Sequence, residues 1–253
     1  MRISLLLIFL ISFATQAQNS TIGTNEKLTY TASYNMSGIL TNIAQVTMQT
    51  SEVKTSKATL LRLKCTAATY SKWDNFFKIR DLYESYVNPK TLTPYLYNRD
   101  INEGSYYKAM KYTFSHKTKT VKSVQTKKNN NVEKKNVSIG AGTKDIVSTL
   151  YNIRLFDYEN MSNGQRKSFT IIFDRKETKA QITYLGKETI NTAIGTKECY
   201  KLAIGSNSNV LQGSNNNLLW LTADENKILV YAKFKIPVGS GELKIKSASG
   251  LKN

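Results

Sequence analysis

The chain has 253 residues and carries 36 Lys plus Arg against 18 Asp plus Glu, a net charge of +18. Its 40% hydrophobic content, with 15 Tyr, 9 Phe and only 3 Pro, excludes a disordered chain and favours strands in one large domain or two small ones. A single His and two Cys exclude a His-rich zinc centre and a disulfide-dense scaffold.

At the start of the chain, Arg2 precedes an apolar run over 5–13 and the exit Thr15-Gln16-Ala17, with the small residue Ala17 where signal peptidase needs one. Residues 1–17 therefore read as a cleavable secretory signal. Their apolar core is shorter than the roughly 20 residues of a membrane span, and no Cys follows Ala17 to take a lipid. Later apolar runs are broken within a few residues by Lys, Asn, Thr or Asp, so no transmembrane span is expected. We expect the remaining chain, 18–253, in the periplasm of a Gram-negative cell.

Beyond the leader the rhythm is period two, as in Leu28, Tyr30, Ala32 and Tyr34, or Leu61, Leu63, Cys65 and Ala67. Strands are predicted over 28–34, 44–48, 61–67, 76–86, 106–114, 118–126, 168–173, 178–185, 196–204, 218–222, 228–234 and 242–246. Turn signals stand at Asn88-Pro89, Asn102-Glu103-Gly104, Asn163-Gly164, Ile194-Gly195 and Asp224-Glu225-Asn226. The basic stretch 117–135 alternates Lys with Thr, Val, Ser and Asn around Asn129, and reads as a hairpin with a solvated Lys face.

One segment departs from this rhythm. Over 145–156, Ile146, Leu150, Ile153 and Leu155 follow helical spacing with Val147 and Tyr151 beside them, and Asp145 is placed to cap the free amides. The fold class predicted is mainly β: an antiparallel, strongly curved sheet, an open barrel or a two-sheet arrangement, with one short helix near 145–156. Residues 18–253 are expected to form a single β-rich domain, its two sheet halves separated by that helix, which lies across apolar sheet surface.

Five stretches in order carry a family resemblance: Asn25-Glu26-Lys27-Leu28-Thr29-Tyr30; Arg80-Asp81-Leu82-Tyr83-Glu84-Ser85-Tyr86 followed by Asn88-Pro89-Lys90-Thr91-Leu92-Thr93-Pro94; Arg99 and Glu103-Gly104; Asp145-Ile146-Val147-Ser148-Thr149-Leu150-Tyr151-Asn152-Ile153-Arg154; and Leu219-Trp220-Leu221-Thr222-Ala223-Asp224. Together they cover nearly all of 18–253, and the chain resembles domain-of-unknown-function family 3108. The resemblance implies an exported, β-rich protein of the Gram-negative envelope and supplies no catalytic residues. Asn88 stands where an acidic residue is common in the family, a departure that would matter only if that turn bound a cation.

The residues themselves offer little chemistry. His116 sits in a Lys-rich alternating stretch with no acid nearby in sequence, and is expected to be an exposed strand residue, not a catalytic base. Gly140-Ala141-Gly142-Thr143-Lys144 lacks the spacing of a phosphate loop and is better explained by helix entry. Cys65 and Cys199 fit either a disulfide or two unlinked buried thiols. No cofactor, metal site or nucleic-acid motif is read.

Asp81, Glu84, Glu103 and Asp224 could serve a glycoside hydrolase only if two of them faced each other across a cleft. They are more simply turn formers, with Asp81 paired to Arg99 or Arg80. Trp73, Phe76, Tyr83, Tyr86, Tyr95, Tyr97, Tyr106 and Tyr107 crowd one third of the chain and are expected to fill the core. The expected function is non-catalytic binding of an envelope amphiphile or lipid, with Asp81, Tyr83, Arg99, Glu103 and Trp220 as ligand-binding candidates. The competing readings are a structural or assembly partner of envelope proteins and a carboxylate-based carbohydrate hydrolase; the partner is accordingly an envelope lipid, glycan or protein. A deep apolar cavity under the helix would mark the first, a flat aromatic patch the second, and facing carboxylates the third.

Overall fold

The alternating runs pair with their neighbours along the chain in a computed structural model that describes residues 18–36, 38–206, 217–236 and 239–253. The leader read at 1–17 lies outside the described residues. Eight strands come first: β1 (Lys27–Met36), β2 (Ile39–Lys54), β3 (Thr59–Thr69), β4 (Arg80–Val87), β5 (Pro94–Glu103), β6 (Tyr106–Ser115), β7 (Thr120–Lys127) and β8 (Asn131–Ser138). Helix α1 (Ile146–Asn152) follows, and then β9 (Arg166–Phe173), β10 (Lys176–Thr192), β11 (Gly195–Ser206), β12 (Leu218–Thr222), β13 (Leu229–Ile236) and β14 (Gly239–Ser249).

All fourteen strands join one sheet in the order β8-β7-β6-β5-β4-β3-β2-β1-β14-β13-β12-β11-β10-β9, and every ladder is antiparallel. The first and last strands pair in the middle, Tyr30 beside Ile245, and the helix connects the two edges. The sheet curls far enough that those edges approach without closing. Lys144 makes a single parallel bridge to Ile171, Arg175 in the β9–β10 turn pairs with Glu133 of β8, and Arg99 of β5 pairs with Asp174 in the same turn.

The strand interiors follow from side-chain alternation. Leu28, Tyr30, Met48, Leu61, Leu63 and Val87 point to the face that carries α1 and form one core with Val147 and Tyr151. On β11 and β12, neighbouring residues go to opposite faces: Cys199 and Trp220 join this core, while Tyr200, Leu202, Leu219 and Leu221 join a second one under Tyr158 and Met161 of the chain that leaves the helix. Both faces of this part of the sheet are therefore covered.

The helix is shorter than 145–156. It ends at Asn152 and tightens into a 3-10 turn over Ile153–Leu155. Asp145 caps it, accepting from Ser148 N at 2.8 Å and from Ser85 Oγ at 2.6 Å. Its buried side is Val147, Ser148 and Tyr151, continued by Arg154, rather than the Ile146-Leu150 stripe. The cause is a buried ion pair: Arg154 donates to both oxygens of Glu26 at 2.6 and 2.7 Å and to the Asn226 carbonyl, turning that side of the segment inward. With α1 packed directly on the sheet, the apolar space of the fold lies at the strand ends instead of beneath the helix.

Candidate ligand-binding site at one end of the sheet

Strand β2 carries one extra residue, Ile43, between the pairs Ala32–Ala44 and Ser33–Asn42. Such a bulge exchanges the two faces of a strand. Thr41 and Ile39 thereby continue the inward row of Thr50, Met48, Val46 and Ala44, and they face Tyr34 and Thr69 at the strand ends.

The chain between β3 and β4 closes over this end. Tyr70 N donates to the Ile43 carbonyl, and Trp73 Nε1 donates to the Asn42 carbonyl at 2.9 Å. The amides of Phe76 and Phe77 both donate to the Trp73 carbonyl. Asp74 anchors the turn, accepting from Thr69 Oγ1 and from Arg80, each at 2.5 Å. This clasp is why the strand predicted over 76–86 begins only at Arg80: the two phenylalanines are held in a loop. Trp73, Phe76 and Phe77 form one wall and Tyr34, Ile39, Thr41, Ile43 and Thr69 the other of an open, largely apolar groove of about 470 Å³.

Four of the five candidate residues converge beside the groove. Tyr83 and Arg99 are opposite each other on β4 and β5, and Ile79 bridges to Glu103, while Gly104 N donates to the Lys78 carbonyl next to Phe77. Buried Asp81 accepts from Asn102 N at 3.0 Å and Tyr83 Oη at 3.4 Å. Burial, reinforced by the Glu103 charge, pushes the Asp81 carboxyl up to about 6, against the pull of its two donors. Burial likewise pushes the Tyr83 phenol well above its usual range.

Arg99 does not pair with Asp81. It pairs with Asp174, which Lys108 also reaches at 3.0 Å, and its guanidinium lies 4.8 Å from the Phe173 ring. Arg80, the alternative partner, pairs with Asp74. The fifth candidate, Trp220, is not part of this cluster: on β12 it stacks on Tyr231 at 4.8 Å and donates to Glu188 at 3.3 Å.

The aromatic third of the chain is not mainly core. Tyr97 is buried, but Phe76, Tyr95 and Tyr106 are exposed and Trp73 is half-buried. Strand β5, absent from the strands predicted by alternation, accounts for part of this, because it sends Tyr95 outward and Tyr97 inward. Ile39 and Thr41 carried no signal in the sequence, since the face they take is set by the bulge at Ile43.

The remaining chemistry-bearing residues are held by structural bonds. His116 is half-buried in the β6–β7 turn, not exposed on a strand, with Nε2 2.6 Å from the Pro94 carbonyl and its ring stacked on Phe114. The Gly140–Lys144 loop does bind an anion, but its own: Gly140 N and Thr143 Oγ1 both donate to Glu177. Lys144 donates to the Leu92 carbonyl at 3.0 Å, and burial lowers its ammonium to about 8. Cys65 and Cys199 are free thiols, pushed by burial to about 12 and about 11. Glu84 pairs with Arg62, and Asp224 accepts from Thr222 Oγ1 and the amides of Asn226 and Lys227. Among the described residues no cluster of three His, Cys, Asp or Glu could hold a metal, and no helix is long and apolar enough to cross a membrane.

Comparison with known proteins bears on family and fold. The family described as "Protein of unknown function (DUF3108)" matches residues 29–246. No curated protein matches the chain. The crystal structure of a β-barrel-like protein of domain of unknown function DUF1849 from Brucella abortus superposes with a TM-score of 0.60 at 6% identity, covering 91% of this chain and 99% of that one. A protein from Bacteroides fragilis described as exported, with a YmcC-like fold, gives 0.38 at 9% identity, covering 90% and 97%. A protein from Parabacteroides distasonis described as a lipoprotein gives 0.36 at 12%, again covering 90% and 97%. With scores below 0.5, the last two do not bear on the fold.

Proposed function

Since the chain belongs to family DUF3108, whose activity is undescribed, we propose from its own geometry that it is an exported, non-catalytic binding protein for an envelope amphiphile. The observation that supports this reading is the open groove of about 470 Å³ walled by Trp73, Phe76, Phe77, Ile39 and Ile43. A space of this size and lining suits an acyl chain, which gains from contact with apolar walls and needs few directional bonds. Near it, Asp81 and Glu103 offer acceptors to a head group, while Tyr83 and Arg99 are engaged with Asp81 and Asp174. The leader read at 1–17 would deliver the protein to the envelope.

The test is native mass spectrometry, with lipid extraction, on protein purified from its own cell envelope without detergent. A bound lipid lost in Thr41→Trp, which fills the groove from one wall, supports the assignment. Empty wild-type protein that captures a defined envelope protein instead would sink it.

A further inference from the structure

We propose that the loop holding Trp73, Phe76 and Phe77, together with the first residues of β2, is a docking surface for an anionic membrane, into whose interface Phe76, Ile39 and Leu40 insert. Large apolar side chains are exposed unevenly over this molecule. Phe76 is 81% exposed, Ile39 72%, Phe77 51%, Leu40 42% and Tyr106 52%, and these are five of the seven large apolar residues exposed among the described residues. All five lie at one end. The β5–β6 turn that carries Tyr106 is tied to the same loop through Gly104 and Lys78.

A soluble monomer seldom leaves such a cluster to water, and apolar patches of this kind mark contact surfaces. The charge around it selects the partner. Lys72 and Lys78 flank the three rings in sequence, both exposed, and neither makes an ion pair among the described residues. The Lys72 ammonium lies 5.6 Å from the Trp73 ring centre. The only acid in the loop, Asp74, is neutralised by Arg80. Apolar tips beside a Trp and two exposed lysines match the layering of a bilayer surface: hydrocarbon, then the belt favoured by Trp, then anionic head groups. The hydrogen bonds of the loop also fix its backbone before contact, so little ordering is lost on insertion.

This docking does not require the groove to hold a lipid; Phe76 serves both, and Leu40, Lys72 and Lys78, which do not line the groove, separate the two. The protein spanning 18–253 would be floated with phosphatidylcholine vesicles with and without phosphatidylglycerol. Wild-type protein is expected to bind the anionic vesicles, less so as salt rises. Brominated acyl chains should quench Trp73, the other Trp being buried. Leu40→Ser with Phe76→Ser should weaken binding by about tenfold or more while leaving the melting temperature unchanged, since both side chains already face water. Lys72→Gln with Lys78→Gln should remove the preference for phosphatidylglycerol, and Thr41→Trp should still bind.

Failure of the wild-type protein to bind either vesicle would overturn the proposal. So would binding that survives the Leu40/Phe76 change. A patch that instead mediates self-association, seen as a dimer in sedimentation that the same change dissolves, would overturn it as well.

Discussion

Asp81 is a carboxyl whose ionisation the fold opposes. Its folded-state pKa, about 6, lies above the value near 4 of an unfolded Asp, so the neutral acid is the form the native state favours. The contribution is complete below pH 4 and is lost as pH rises through 6. Asp81→Asn, which imitates the neutral acid, should therefore leave stability unchanged at pH 4 and raise it at pH 7, by about 3 kcal/mol at most. Parallel pH profiles for the two proteins in thermal melts would contradict this. The Glu26–Arg154 pair is a different case, since both side chains are almost wholly buried, at 0% and 3% exposure. Arg154→Met strands the Glu26 carboxylate and should cost about 3–5 kcal/mol in urea unfolding, part of which returns when Glu26→Gln is added.

At the scale of elements, Asp145 joins the helix to the sheet through one carboxylate, bound by Ser148 N and Ser85 Oγ. Asp145→Ala should destabilise by about 2 kcal/mol, the cost of a lost cap together with an abandoned buried hydroxyl. Urea midpoints of this variant and of Ser85→Ala would check it, with less than the sum of the two effects in the double variant because they share a bond.

Asp145 was readable as a cap because the signal is local, an acid just before a 3.6-residue pattern. The face the helix buries was not, because a buried Arg154 looks polar in any hydrophobic pattern and its partner Glu26 is remote in sequence. Alternation likewise located most strands but not the Ile43 bulge, which a pattern read on β2 alone cannot see. Within the candidate site, Asp81, Tyr83, Arg99 and Glu103 meet because β4 and β5 form a hairpin, an arrangement open to reasoning from the turn near Asn88. The pairing of Arg99 with Asp174 was hidden, since it depends on the sheet curling until its two halves meet. Trp220 was distinguished in sequence by its residue type and by its place in a family stretch, neither of which locates it in space.

At the scale of the molecule, the sheet has two edges, β8 and β9, and a seam where β1 meets β14. Near that seam, Lys252 Nζ donates to the Asn19 carbonyl at 3.0 Å and Asn253 Nδ2 to the Ser20 carbonyl at 3.3 Å. Spatial order and chain order therefore differ by a single cut. If residue 253 were linked to residue 18 and the backbone opened at the exposed Ala141-Gly142 step, the strands would run β9 to β14 and then β1 to β8, each pairing only with its successor. Such a circular permutant should keep the native fold, and refold faster than the parent, because its most distant strand pairing becomes a hairpin. Stopped-flow refolding of the two chains would decide it, a slower or unfolded permutant counting against the idea. In the natural arrangement β1 must wait with an unmated edge until β14 has emerged, and it is this interval, not the finished molecule, in which the protein is most exposed to mispairing.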